Sequence, residues 1–487
     1  MKFITPIDPA KRELHASILS FLMIAITRVL HYAASLILLS FLSPEAFGVM
    51  AIVTSVLAMM NSVSAFGVDA ALISYAGDEK EIVNEAWTLE LLKGVSLAAV
   101  TIMISPFLAS WLATPALELL LVVMSAAFIL QSGKNIGLVS LRRRMEFTVI
   151  FQCEIAMAVV NFFVTISLVM FYQSPWIIVA GYLSGWLTYF FLSYFLCDFR
   201  PKVSLRWRRV SGILNYSKWV LLSGQINAML DHGINFFTGS QYGMSVLGQF
   251  ERANMFTRQT SLQIGEVLWR VGLPSLASRV ENIAELRSHY LNMIAFLCAF
   301  VFPVLILVVL YIPVLVSQSN PSAWSEFYPL VLSLGFVAGI SILVTPGTIL
   351  FQAVREPRFG MNVAVTRLLT VGLFLMPCVK LFGVIGVVYA LAGGSLVVLP
   401  VCFFYVKRLI GVSFWEHIVI CVQHLIPCAP FLFISPSELS VGFNILSLCL
   451  ALLSHLVLMY ACSEYFRSVT NWLQGVLDRT RSPRNAA

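Results

Sequence analysis

The sequence is poor in charge. Only 11% of its 487 residues are Asp, Glu, Lys or Arg, against roughly 25% in a soluble globular chain. That excludes an ordinary soluble domain. A hydrophobic content of 59% and a mean hydropathy of +0.88 leave a polytopic membrane protein. Catalytic signatures are missing too. There is no G-x-x-x-x-G-K-[ST], no H-E-x-x-H and no G-x-S-x-G, which argues against ATP hydrolysis, zinc proteolysis and serine hydrolysis by this chain. The nine cysteines mostly lie inside apolar runs, without the paired spacing of a zinc, haem or redox site. They read as small core or lipid-facing residues. His417 and His424 have no third ligand nearby in sequence, so they read as structural, and neither metal nor cofactor is expected. The formal charge of +7 sits in short clusters between apolar runs, the habit of cytoplasmic loops rather than of a nucleic-acid binder.

What is present is a succession of apolar runs. A spanning helix needs roughly 20 such residues. That yardstick places about fourteen spans, at 16–42, 47–74, 87–113, 116–140, 148–172, 176–197, 216–238, 250–278, 286–314, 324–354, 359–380, 383–406, 415–435 and 440–462. The basic start "MKFITPIDPAKREL" precedes a run too long for a signal peptide, and a second hydrophobic segment follows at once. Arg142, Arg143 and Arg144, then Arg200, Lys202, Arg206, Arg208 and Arg209, then Lys407 and Arg408 fall on one side. The alternate segments "SPEA", "YQSPW", "TGSQYGMSVLGQ", "SQSNPSA" and "SPSELS" carry no Lys or Arg. The positive-inside rule then puts both termini in the cytoplasm. No stretch is long enough for a separate soluble domain. The start of span two, "LSPEAFGVMAIV", is echoed faintly by "YGMSVLGQFERA" at the start of span eight. Such an echo fits two parallel six-helix halves related by an axis along the membrane normal.

Polar residues are concentrated on four spans. At about 100° per residue, Arg252, Gln259, Gln263, Glu266 and Arg270 share one stripe of span eight, with Arg258 well off it. Span seven lines up Ser217, Gly224, Asn227, Asp231, Asn235 and Thr238. Span one offers Ser17, Arg28, His31, Tyr32 and Ser35, and span two Thr54 and Asn61. Intramembrane charge is costly unless something compensates. Glu266 and Arg270 lie one turn apart and can neutralise each other, Asp231 can pair with Arg28 or Arg270 as glue between helices, and Arg252 can snorkel to the outer interface. Stripes on four helices at once are better explained by a shared water-filled cavity. Arg28, Arg252 and Arg270 outnumber Asp231 and Glu266 there, which favours an anionic ligand, and arginine suits a phosphate.

"LSPEAFGVMAIV", "FGVDAALI", "AWTLELLKGVSLAAVTIMISPFLASWL" and "LGQFERANMFTRQ…VLWRVGLPSLASRVEN" together resemble the bacterial polysaccharide transporter family over most of residues 15 to 410. These are the lipid-linked oligosaccharide flippases of O-antigen, capsule and exopolysaccharide pathways, within the multidrug/oligosaccharidyl-lipid/polysaccharide exporter superfamily. The resemblance implies two six-helix lobes, 1–197 and 198–410, with two further helices and a cytoplasmic tail over 411–487. It implies an alternating-access transporter of the bacterial inner membrane rather than an enzyme. Its partners would be an undecaprenyl-pyrophosphate-linked oligosaccharide, membrane lipids and polysaccharide polymerase machinery, with no nucleic acid. Arg28, Arg252 and Arg270 would meet the pyrophosphate, and Asn61, Asn227, Asp231 and Gln263 the sugars, with Glu266 on the same lining. An ion-coupled drug antiporter and a lipid II flippase of the same superfamily remain alternatives, as does, from another class, a membrane-embedded transferase, which the short outer loops disfavour.

Overall fold

Runs of apolar side chains leave the backbone to satisfy its own hydrogen bonds, and within a bilayer a helix does so segment by segment. The computed structural model describes residues 9–63, 83–143, 147–204, 218–317 and 324–428, and all their regular structure is helical. The chain is an all-α polytopic membrane protein. Contacts divide it into two compact units, Met1–Glu251 and Arg252–Ala487.

The first unit holds α1 (Pro9–Phe41), α2 (Pro44–Val63), α3 (Val83–Trp111), α4 (Ala116–Met124), α5 (Ala126–Ser132), α6 (Gly137–Arg143), α7 (Thr148–Val169) and α8 (Trp176–Leu196), then most of α9 (Lys218–Asn254). Neighbours pack along the chain, α7 on α8 and α3 on α4 and α5, while α1 returns to lie on α7. The second unit follows a π-helical turn at Met255–Gln259 with α10 (Thr260–Ala277), α11 (Ile283–Ser317), α12 (Phe327–Ser341), α13 (Thr345–Ala353), α14 (Pro357–Phe382), α15 (Val384–Ile410) and α16 (Phe414–Leu425). Here α14 pairs with α15, α12 with α15, and α11 with α16.

Eight helices among the described residues are long and apolar enough to cross a membrane, and Ile26–Phe41 and Ala116–Ser132 are shorter apolar helices. These ten segments correspond to ten of the expected spans. Their outward faces carry large apolar side chains such as Phe163, Phe191, Phe195, Leu373 and Leu381, the surface a helix presents to lipid. Span thirteen begins at α16, and its end, all of span fourteen and the tail lie outside the described residues. The longest described helix, α9, is not apolar enough to count as a span.

The expected loop over 239–249 is corrected by the structure. The chain stays helical on both sides of Gly243, which alone is non-helical, at φ 80° and ψ 172°. Asn235 and Glu251 nevertheless touch, with Asn235 Nδ2 3.3 Å from Glu251 Oε2. In a continuous helix residues so spaced would stand about 24 Å apart. Gly243 is therefore a sharp reversal, and α9 is a helical hairpin with arms 218–242 and 244–254. A residue without Cβ is needed there, because positive φ with ψ near 180° is essentially a glycine conformation.

The starts of α2 and of the second α9 arm cross at a pair of glycines. A Cβ on Gly48 would meet the Met244 carbonyl oxygen at 1.8 Å, and one on Gly248 would meet that of Pro44 at 1.7 Å. Pro44 and Gly48 stand to each other as Met244 and Gly248 do, so the contact is reciprocal, as across a two-fold axis. The faint echo in the sequence thus corresponds to backbone-on-backbone packing between its two copies.

Candidate functional site

Polar side chains collect on the helices that flank this crossing. In the first unit, α2 and α9 exchange hydrogen bonds along their length. Ser62 Oγ donates to Gln225 Oε1 at 3.1 Å, and the Gln225 amide returns a bond to the Ser62 carbonyl. Further along, Asn235 Nδ2 donates to Ser55 Oγ at 2.9 Å, and His232 Nδ1 lies 3.3 Å from the same hydroxyl. Asn61 Nδ2 donates to Gln131 Oε1 at 3.3 Å, and Gln131 Nε2 donates to the Tyr182 hydroxyl at 3.1 Å. Through this chain the polar face of α2 is held in register with α5 and α8.

Asn227 and Asp231 are half-buried on the first arm of α9, on the face that also carries Asn235. Arg28 is half-buried on α1 and makes no hydrogen bond or ion pair to another described residue. His31 is exposed and packs edge-on against Tyr32. Of the predicted residues of the first unit, Asn61 is tied to the side-chain network of α5 and α8, whereas Arg28 stands clear of it.

In the second unit Arg252 is half-buried, and its guanidinium lies 3.2 Å from Met255 Sδ. Because the second arm begins at Met244 rather than at a distant loop end, Arg252 stands about 13 Å along the helix from the Gly243 turn. Gln263 is half-buried and Glu266 exposed on α10, and Arg270 takes its place on the same helix one turn beyond Glu266. Arg258, which the periodicity puts off the stripe, is 7% exposed and donates from Nε to Asn254 Oδ1 at 3.0 Å. The π-turn at Met255–Gln259 adds a residue to one helical turn, which re-aims the stripe between Arg252 and Gln263.

Helical periodicity missed Glu251, Ser55 and His232. Glu251 sits beside the Arg252 stripe, yet it is only 8% exposed. The signal that finds it is distance from Gly243, since Asn235 and Glu251 are equally far from the turn on opposite arms. No group of three or more His, Cys, Asp or Glu side chains suited to a metal ion occurs among the described residues.

The family model described as "Polysaccharide biosynthesis protein" matches residues 37–329. Among solved structures, an inward-facing multidrug resistance MATE family transporter of the MOP superfamily is similar at 18% identity and a TM-score of 0.63, over 83% of this chain and 98% of that one. Lipid II flippase MurJ in an inward closed conformation is similar at 12% identity and a TM-score of 0.67, over 94% and 100% of the two chains. A MOP superfamily transporter from Pyrococcus furiosus is similar at 18% identity and a TM-score of 0.56, over 82% and 96%. At such identities the likenesses establish a shared fold. No curated protein sequence matches the chain.

Proposed function

The chain belongs to the family of polysaccharide biosynthesis proteins, and from that premise we propose that it is a flippase for lipid-linked oligosaccharides in the bacterial inner membrane. Its cargo is an undecaprenyl-pyrophosphate-linked repeat unit, carried from the inner to the outer leaflet by alternating access of lobes 1–197 and 198–410. A polysaccharide polymerase receives it on the far side. Both termini face the cytoplasm in this reading.

The observation that carries this reading is the polarity of α9. A helix of 37 residues in a membrane fold that carries Gln225, Asn227, Asp231, His232, Asn235 and Glu251 has a polar cargo or polar neighbours to serve, since lipid tails serve none of them. A long isoprenoid tail stays in lipid, and the pyrophosphate and sugars need donors within the membrane. Arg28, with no protein partner among the described residues, offers a bidentate fork to phosphate oxygens. Arg252 and Arg270 supply further cationic heads, and Asn61, Asn227, Asp231, Gln263 and Glu266 offer the amide and carboxylate groups that sugar hydroxyls bind.

The test is the leaflet location of undecaprenyl-linked repeat units in cells lacking the protein. Completed units held on the cytoplasmic side, with surface polymer lost, support the reading. The likeness to a lipid II flippase favours a second reading with the same lipid pyrophosphate. It predicts arrested cell-wall synthesis and lysis instead. Unchanged polymer with altered tolerance to toxic cations would replace both by a drug exporter.

A further inference from the structure

The basic end of α8 carries a groove of about 640 Å³, lined by Phe191, Leu192, Tyr194, Phe195 and Arg200. Phe191 is 60% and Phe195 84% exposed. At about 100° per residue Phe191 stands on the face of α8 opposite Tyr182, the residue through which α8 joins Gln131 and Asn61. The buried stripe of Gly181, Gly185, Tyr189 and Ser193 is likewise turned away from it. The groove therefore opens toward lipid, on the far side of α8 from the polar network of the first unit.

The segment after α8 gives that groove a charged rim. Cys197 leaves the helix with extended backbone, at φ −101° and ψ 130°, and residues 198–204 are non-helical. Side chains of α3 and of the connection between α5 and α6 fasten this strap. Asn135 Nδ2 donates to the Phe199 carbonyl at 2.7 Å, and the Lys202 N–H to Asn84 Oδ1 at 2.9 Å. Ser204 N–H donates to Thr88 Oγ1 at 2.9 Å, and Ser204 Oγ to Glu85 Oε1 at 3.1 Å. Phe199 packs on the cluster of Val83, Ala86, Ile136 and Val139. In extended backbone successive side chains alternate in direction, and with Phe199 turned in, Asp198, Arg200 and Lys202 are exposed. Arg200 is itself steadied, because its Nη1 donates to the carbonyls of Cys197 and Phe199. Among the described residues nothing else accepts from this guanidinium, which leaves Nε and Nη2 to an anion.

We propose that this groove binds an anionic phospholipid of the cytoplasmic leaflet, with an acyl chain along Phe191, Leu192 and Phe195 and the phosphate on Arg200 and Lys202. Burial of the chain against the aromatic wall removes apolar surface from the wet interface, and the guanidinium supplies charge-assisted bonds to the phosphate. The rim sets two cations against one carboxylate, Asp198, so it prefers an anionic head to a zwitterionic one. Arg206, Arg208 and Arg209 follow in sequence, which puts this end of α8 on the cytoplasmic side by the positive-inside rule. An undecaprenyl phosphate shares the same chemistry, but the position of the groove, away from Gln131 and Asn61, favours a lipid of the bulk bilayer. Lipid occupancy here is independent of the transport reading and is measured without cargo.

Native mass spectrometry of the delipidated full chain counts the lipids it takes up from phosphatidylglycerol and, in parallel, from phosphatidylcholine with the same chains. Wild type is expected to hold one phosphatidylglycerol per chain in preference to phosphatidylcholine. Arg200→Gln should weaken phosphatidylglycerol about fivefold and leave phosphatidylcholine unchanged, whereas Phe195→Ala should weaken both. Lys202 fastens the strap through its backbone N–H alone, so Lys202→Gln keeps the strap and decides the head-group comparison, with the same fall expected, should Arg200→Gln fail to fold. Equal uptake of the two lipids by wild type, or a preference unmoved by the head-group variant, overturns the proposal. So does displacement of phosphatidylglycerol by equimolar undecaprenyl phosphate, which would make the groove a docking place for cargo instead.

Discussion

Single residues set the two tightest constraints on this molecule, and each is open to one substitution. Gly243 turns α9 back on itself at φ 80°. Gly243→Ala forces a Cβ into that conformation at a cost of about 1–3 kcal/mol, and the purified protein should melt at a lower temperature with its helix content unchanged. At Arg28 the expected effect is on transport. Arg28→Ala should abolish most surface polymer at normal protein abundance, and Arg28→Lys should restore part of it, because an ammonium keeps the charge and loses the fork. Full polymer in Arg28→Ala cells would remove this residue from the cargo path. The polar stripe made Arg28, Asn227, Asp231 and Gln263 legible, since a membrane helix has few reasons to repeat polar residues on one face. Glu251 was not legible in that way. Its partners come from the opposite arm and from α2, and periodicity along one helix carries no information about a partner across a turn.

Among the elements, α16 shows how a short amphipathic helix is fastened. Ser413 and Glu416 close a capping box, with Ser413 N–H donating to Glu416 Oε2 at 2.8 Å and Glu416 N–H to Ser413 Oγ at 3.3 Å. Arg287 of α11 pairs with Glu416 at 2.5 Å. Behind them His417 is 1% exposed and stacks on Phe403 with ring centroids 3.8 Å apart. Its Nδ1 donates to the Ser413 carbonyl at 2.8 Å, which leaves Nε2 to accept from the Tyr290 hydroxyl at 3.1 Å. The structural role expected for this histidine is the one it plays. Tyr290→Phe strands a buried acceptor and should cost about 1–3 kcal/mol, seen as earlier thermal unfolding. Apolar length was enough to place most elements to within a few residues. It could not show that the connection between spans seven and eight shrinks to Gly243, because Ser240, Gln241, Ser245 and Gln249 read as loop residues until Gly48 is seen packed against Met244. That crossing makes its own prediction. Gly48→Ala drives a methyl into a backbone carbonyl that cannot rotate away, so its destabilisation should exceed the roughly 1–3 kcal/mol of ordinary overpacking, and Gly248→Ala should match it if the contact is reciprocal.

For the whole molecule, the alternation of basic and non-basic segments makes a claim about sidedness that cysteine labelling in intact cells can decide. Among the described residues Cys153, Cys197, Cys298, Cys402 and Cys428 are free and buried and Cys378 and Cys421 are half-buried, and Cys449 and Cys462 lie outside them, so the unsubstituted protein sets the background for a membrane-impermeant maleimide. Ser43 and Ser245 are exposed at the paired turns that begin α2 and the second arm of α9. Ser43→Cys and Ser245→Cys should both label from outside. Lys202 and Lys407 are exposed at the ends that carry the basic clusters, and Lys202→Cys and Lys407→Cys should label only after the membrane is opened. The pairing matters more than either site alone. Ser43 and Ser245 flank the reciprocal glycine crossing, so the geometry requires them on the same side whatever the number of spans between them. If they label from opposite sides, the crossing of α2 with α9 is wrong. If both label only from within, the crossing stands and the orientation drawn from Lys and Arg is reversed, which would place the hairpin turn of α9 nearer the cytoplasm than the outer leaflet.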